Sequence, residues 1–479
     1  MASLQIPSLA PLMILIAAVL VDLLAITVRR NHVVVAGITI FGFAAAFAGL
    51  PWFSWSSLNM SLSMITVDKF AVFFWGLFLA AALIITLSSF AYLKRHHGHR
   101  EEFYILLLLA TLGAMTLVAA THLAIFFLGL ETLSVALYSL IAYTHLRRPS
   151  LEAGIKYLML AGASTAFMLF GMALLYLQTG WLDLACIAEV LGNGKLITAP
   201  LLVWAGLALF VVGLGFKLAV VPFHIWTPDV YQGAPAPATA FIATISKGAM
   251  AAFLLRFFSS AGLTIGDPLW TVLAAMAIGS MFLGNLLALR QDNLKRILAY
   301  SSIAHMGYVL VAFLAGGPAA RQAVAFYLVT YFAATLMAFG LIAALSTRKY
   351  EAEGINDFRG LFWRRPLLGA LMAGALLSLA GIPLTAGFIG KYYVVATGVQ
   401  TSLWVLVGVL AINSVIGLYY YLRVIAAMCR PVEAEPESVA APVWSLSGGI
   451  ALAALALAIL WLGIWPEPLL QIIRAAGLS

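Results

Sequence analysis

The chain has 479 residues, of which 64% are hydrophobic and only 9% charged, with a formal charge of +8. A soluble protein of this size has no way to hide so much apolar surface, and the apolar runs are continuous rather than alternating. The composition therefore excludes a soluble enzyme and a β-barrel and leaves an all-α polytopic membrane protein. No basic stripe with interleaved aromatics accompanies the positive charge, which argues against nucleic-acid binding.

Apolar runs of spanning length recur from end to end. They predict fourteen transmembrane helices, near residues 9–28, 33–50, 68–90, 103–120, 122–143, 154–178, 200–221, 237–258, 268–289, 297–315, 321–345, 366–396, 402–428 and 446–465. The first, MASLQIPSLAPLMILIAAVLVDLLAITVRR, lacks a basic leading region and a cleavage signal, so it reads as a span rather than a signal peptide. Sixteen Lys and Arg residues fall in loops that follow odd-numbered spans, from Arg29 and Arg30 to Arg430. The remaining loops and the termini hold only Lys69, Lys195, Arg321 and Arg474. The positive-inside rule then places both termini on the outer face, in agreement with an even number of spans.

Segments outside the membrane are short. Residues 179–199 read as an amphipathic piece on the outer face, 346–365 as the largest inner loop, and 430–441 as a flexible acidic linker. None forms a soluble domain, so redox or nucleotide chemistry belongs to other chains. Cys186 and Cys429 are far apart and unaccompanied, and read as inert small residues. His96, His97 and His99 read as a solvated loop rather than a metal site. No other cluster has metal-ligand spacing.

The stretch from Val211 to Lys247, VVGLGFKLAVVPFHIWTPDVYQGAPAPATAFIATISK, departs from this pattern. Lys217 and Lys247 lie deep in apolar sequence, with a Pro-interrupted helix end at Pro222, His224 and a Pro/Gly-rich turn between them. A charge at the bilayer centre costs about 2.5–3.5 kcal/mol on insertion scales, so it needs a partner or a task. A broken helix is tolerated only where protein or a water-filled cavity satisfies its freed backbone. The span near 366–396 echoes the pattern with Gly381, Pro383, Gly387, Phe388, Gly390 and Lys391, against Gly213, Gly215, Phe216, Lys217 and Pro222. Spans four to eight and nine to thirteen then form two five-helix units of opposite orientation, the pattern of inverted repeats. The resulting organisation is a three-helix segment over 1–100, a first five-helix repeat over 101–262, a second over 263–430, and a linker with a C-terminal helix over 431–479.

Glu131, in HLAIFFLGLETLSVALYSL, is the one acidic residue far inside a span. Asp22 sits near the basic end of its helix and reads as a residue reaching water. Lys156 follows Glu152 by four residues, the favourable order for a helix pair, and either snorkels or takes part in transfer. Lys217, Lys247 and Lys391 lie too deep to snorkel. His224 and His305 flank them. Burial favours a neutral lysine amine, and a nearby carboxylate favours the ammonium. A Glu–Lys pair at about 4 Å is worth about 4 kcal/mol at an effective dielectric near 20. That is comparable with the roughly 2.3 kcal/mol needed to move one charge against 100 mV. Moving Glu131 toward or away from Lys217 would switch the lysine between holding and releasing a proton.

VGLGFKLAVVPFHIWTPDVYQGAPAP, FLGLETLS, LKRILAYSSIAHMGY and SLAGIPLTAGFIGKYYV together resemble the antiporter-like membrane subunits of respiratory complex I, the bacterial NADH–quinone oxidoreductase, in their N-type form. The resemblance implies fourteen helices, two inverted five-helix repeats, and broken seventh and twelfth helices. It implies a Glu131–Lys217 pair, a central Lys247, a terminal Lys391, His305 on the tenth helix and Lys156 on the sixth. It also implies a proton path without cofactor or metal in this chain. Flavin, iron–sulfur clusters and quinone would belong to partner subunits, where quinone reduction supplies the energy. The implied neighbours are an M-type antiporter-like subunit, a small K-type subunit and the lateral helix of an L-type subunit, in a bacterial inner membrane. Rival readings are a subunit of a cation/proton antiporter, which shares the buried Glu–Lys set, a scaffold that conveys no protons, and an amino-acid-type transporter, for which the sequence offers no substrate pocket.

Overall fold

A chain crossing lipid has to satisfy its own N–H and C=O groups, and the apolar runs do so as helices. The computed structural model describes residues 9–55, 60–62, 64–95, 99–191, 200–261, 267–347, 350–431 and 446–478. Among them, thirteen helices are long and apolar enough to cross a membrane. A further crossing is split into Pro366–Ala380 and Ala386–Gln400. Counting it as the twelfth gives the fourteen expected spans. Smaller pieces are an antiparallel hairpin of Met60–Leu62 with Ile65–Val67 and a short helix, Leu184–Leu191, within the expected 179–199 segment. Another short helix, Glu467–Ala475, follows the last span. Nearly all of the expected acidic linker falls outside the described residues.

The centre of the bundle is set by three spans. The eighth (Ala236–Phe258), tenth (Leu294–Ala315) and eleventh (Gly317–Leu345) are 100%, 94% and 89% buried, against 28% for the fourteenth, Leu446–Ile464. Glycines let neighbouring backbones meet, as membrane helices require in the absence of a hydrophobic drive between them. A Cβ on Gly113 of the fourth span (Glu102–Ala119) would lie 2.5 Å from the Leu133 nitrogen of the fifth (Leu123–Ile141). One correction falls in the first span, Ala10–Val28. Asp22 does not reach water; it is fully buried and accepts a hydrogen bond from the Thr39 hydroxyl at 2.8 Å. The first helix packs against the second and fourth, and that cover closes the route to its basic end.

Loops that follow odd-numbered spans meet at one end of the bundle. Arg30 pairs with Glu102 at 2.8 Å, Arg95 donates to the Ser346 carbonyl, and Arg296 pairs with Asp229 at 2.8 Å. At the opposite end Ile65 bridges to Ala120, His122 bridges to Asp183, and Arg256 pairs with Asp68 at 2.7 Å. The centre of the basic end is Glu351, whose side chain is 1% exposed. It accepts from Arg147, from Lys295 Nζ at 3.1 Å and from the Ala236 N–H at 2.8 Å. Lys295, itself fully buried, also donates to the Ala234 carbonyl at 2.6 Å. One carboxylate thus ties the loops after the fifth and eleventh spans to the heads of the eighth and tenth.

Both expected breaks are present. The seventh span, Leu201–Leu218, stops short of Pro222, with Ala219 in the left-handed region at φ 59°. The Val221 N–H freed there donates to Ser280 Oγ at 2.9 Å. A short helix, Trp226–Gly233, follows the turn. In the twelfth span the break opens at Gly381, φ 81°, and a Cβ on Gly387 would sit only 1.8 Å from the Ser378 carbonyl oxygen.

Removing one partner of a buried ion pair typically costs about 3–5 kcal/mol, because it strands the other charge. Glu351→Ala should therefore lower the amount of folded subunit in membranes, with Glu351→Gln milder because it still accepts from Ala236. Thermal unfolding of the purified protein measures this; equal melting of both variants and the parent would refute the role.

Candidate proton-transfer site

The buried charged residues occupy three kinds of position, each set by local backbone. Lys217 lies in the last turn of the seventh span's helical half. The carboxyl end of a helix carries partial negative charge, which suits a cation. Its Nζ donates to Ser134 Oγ at 2.7 Å and lies 5.7 Å from the centre of the Tyr157 ring. Lys391 follows its break but reaches back to the carboxyl end of the preceding half-helix. Its Nζ donates to the Ala380 carbonyl at 2.7 Å and to Ser414 Oγ at 2.9 Å. Lys247 stands just after a π-helical turn, Ile242–Ser246, inside the eighth span. Such turns re-aim the residues that follow and recur at functional sites. Lys247 donates to Ser302 Oγ, with its ammonium 5.5 Å from the centre of the Tyr231 ring. The three lysines are 4%, 1% and 9% exposed, in the order 217, 247 and 391.

Glu131 is half-buried and accepts from the Thr165 hydroxyl at 3.1 Å. It forms no ion pair with Lys217 here. The two are linked through the fifth span, where Glu131 and Ser134 lie three residues apart and so on one face. His305 is buried with both ring nitrogens engaged, Nδ1 with the Tyr327 hydroxyl at 2.5 Å and Nε2 with the Tyr421 hydroxyl at 3.2 Å. Tyr421 also contacts Ser301. Between His305 and Lys391 lies a small cavity with room for about one water molecule.

The outlying candidates separate from this cluster. His224 sits in the turn after the break and, among the described residues, makes no hydrogen bond to the lysines. Lys156 is at the basic end with its side chain 44% exposed, 2.7 Å from Glu152 and 3.0 Å from Asp229. Arg296 completes this network through Asp229 and Gln232. Partial burial disfavours the Asp229 carboxylate, but the hydrogen bonds from Arg296 and Lys156 outweigh it and hold the carboxyl below the usual range. His96 and His97 lie outside the described residues. His99 is exposed, 3.8 Å from Glu102.

The structure therefore joins Lys247 to Ser302, sets His305 and Lys391 around one cavity, and brings Lys217 and Glu131 to neighbouring hydroxyls on the fifth and sixth spans. Sequence reasoning passed over those hydroxyls, because Ser, Thr and Tyr are unremarkable in apolar helices. The available signal was spacing: Ser134 stands three residues after Glu131, and Ser302 three before His305.

A family model described as NADH:quinone oxidoreductase/Mrp antiporter, transmembrane, matches residues 120–417. A chain in the structure of respiratory complex I from Thermus thermophilus is 35% identical, with 96% of this chain and 98% of that chain covered and a TM-score of 0.82. A chain of an archaeal membrane-bound sulfane sulfur reductase shares the fold at 24% identity, covering 99% of this chain and 97% of its own, with a TM-score of 0.86. A chain of the Mrp complex from Dietzia sp. does so at 20% identity, 98% and 97% coverage and a TM-score of 0.83. With its family match over residues 120–417 and a near full-length relative at 35% identity, the chain belongs to the family of NADH:quinone oxidoreductase and Mrp antiporter membrane subunits.

Proposed function

We propose that the chain is the N-type, proton-translocating membrane-arm subunit of a bacterial NADH–quinone oxidoreductase. The observation that carries the reading is the cluster of Lys247 and His305, in the enclosed eighth and tenth spans, with Lys391 at the break of the twelfth, all held by hydroxyls and carbonyls rather than by carboxylates. A cation locked in an ion pair keeps its proton. A cation held by neutral groups can lose its proton without stranding a counter-charge. The near full-length likeness to the Thermus complex I chain favours the oxidoreductase over the antiporter.

In this reading Glu131, Lys217, Lys247, His305 and Lys391 take and give protons in turn, and Lys156 and His224 serve the route from the inner face. Glu131 and Ser134 share a face of the fifth span, so side-chain rotation alone brings the carboxylate toward or away from Lys217. Contact favours the ammonium; withdrawal in a dry site favours release. Spans four to eight and nine to thirteen act as two inverted repeats around the two breaks. The chain carries no redox centre. Flavin, iron–sulfur clusters and quinone sit in partner subunits, and quinone reduction there supplies the energy. M-type, K-type and L-type membrane subunits are its neighbours. The basic end faces the cytoplasm and both termini the outer face of the inner membrane.

A tagged chain purified in mild detergent should bring with it a large flavin- and iron–sulfur-containing assembly active in NADH–quinone reduction. Recovery with other antiporter subunits only would transfer the assignment to a cation/proton antiporter. In sealed vesicles Lys247→Ala should lower the protons moved per NADH oxidised, and so should Glu131→Ala and Lys217→Ala. Wild-type ratios in all three would rule out a proton path through this chain. A C-terminal alkaline phosphatase fusion should be active and a C-terminal green fluorescent protein fusion dark; the reverse pair would invert the topology.

A further inference from the structure

No hydrogen bond joins Lys247 to Lys391 directly, yet the atoms between them form a nearly complete series. Lys247 Nζ donates to Ser302 Oγ. The Tyr331 hydroxyl donates to the same oxygen at 2.9 Å. Tyr331 is also one wall of the small cavity, whose other walls include His305, Tyr327, Ser378 and Lys391. The cavity has room for about one water molecule. Ser302 is 1% and Tyr331 4% exposed, so neither hydroxyl reaches bulk solvent or lipid headgroups. At this depth they meet each other, the lysine, the cavity and the Tyr231 hydroxyl, which lies 3.3 Å from Ser302 Oγ.

Building on the reading of the chain as a proton-translocating subunit, we propose that Ser302 and Tyr331 are relay residues carrying the proton between Lys247 and the cavity shared by His305 and Lys391. A hydroxyl accepts one proton as it gives up another. Transfer toward Lys391 moves a proton from the Lys247 ammonium to Ser302 Oγ, from Ser302 to the Tyr331 oxygen, from Tyr331 to a water in the cavity, and from that water to the neutral Lys391 amine. Each hydroxyl and the water end with the number of protons they began with. One positive charge has moved from one lysine to the other. Ser302 Oγ here accepts from both Lys247 and Tyr331, so its own proton has to turn to one of them before transfer. Rotation of the two hydroxyls sets the direction: Ser302 donating to Tyr331 serves transfer toward Lys391, and Ser302 donating to Lys247 serves the reverse. The Gly387 backbone also borders the cavity.

The test uses the assembled complex in sealed vesicles and reads two rates together: NADH oxidation with an uncoupler, and protons moved per NADH without one. Tyr331→Phe keeps the ring and removes the hydroxyl. It should lower the proton ratio to the level of Lys247→Ala while uncoupled NADH oxidation persists, and Ser302→Ala should do the same. Because the two hydroxyls act in series, the double variant should fall no lower than either single one. A destabilised subunit would instead lose both rates together as the complex fails to assemble on a native gel. Should Tyr331→Phe fail in that way, Ser302→Ala decides. Wild-type ratios in Tyr331→Phe and Ser302→Ala beside a reduced ratio in Lys247→Ala would overturn the relay and leave the functional reading standing. A wild-type ratio in Lys247→Ala as well would remove both.

Discussion

An ammonium group inside a bilayer has to be met by fixed dipoles or hydroxyls, or give up its charge. The architecture answers this demand three times by three devices. A half-helix ends just past Lys217, whose ammonium donates to the Ser134 hydroxyl. Another half-helix ends at Ala380, whose carbonyl Lys391 reaches from beyond the break. A π-helical turn re-aims the eighth span and delivers Lys247 to Ser302. Each device spends helical regularity, and each is tolerated because protein rather than lipid meets the groups it frees. Val221 shows the same economy of backbone groups, its freed N–H taken up by Ser280 rather than left to lipid.

Two populations of charge result, and they differ in what they can do. At the basic end, Arg147, Lys295 and Glu351 are fully paired, as are Lys156, Asp229 and Arg296. Such groups are held by their counter-charges and fix loops. In the centre, among the described residues, the lysines donate to neutral oxygen atoms and His305 bonds to tyrosine hydroxyls. The division is one of partner chemistry as much as of depth, since Lys295 is as buried as Lys247.

The sequence carried the coarse design because hydrophobic runs and isolated charges are strong signals. The number of crossings, both breaks and the burial of Lys217, Lys247 and Lys391 could all be read from it. Glu131 could be placed in its span but not in its pairing, since contact with Lys217 depends on rotamers that spacing leaves open. Asp22 was misread because its distance from Arg29 was legible and the packing of the first helix against the second and fourth was not. The π-helical turn left no local mark in IATIS. Glu351 lay in what looked like an ordinary inner loop, and only the fold brings Arg147 and Lys295 to it across some two hundred and some fifty residues of chain.

The fit at Gly387 bears on how such a protein can move. Its α-carbon lies so close to the Ser378 carbonyl that even a methyl group has no room, and the two halves of the twelfth span meet there without slack. Bending the twelfth span at its break would need these halves to separate and reseal in every cycle. A junction packed to backbone contact favours the opposite economy, in which the frame stays still and only side chains, hydroxyl rotors and water change place.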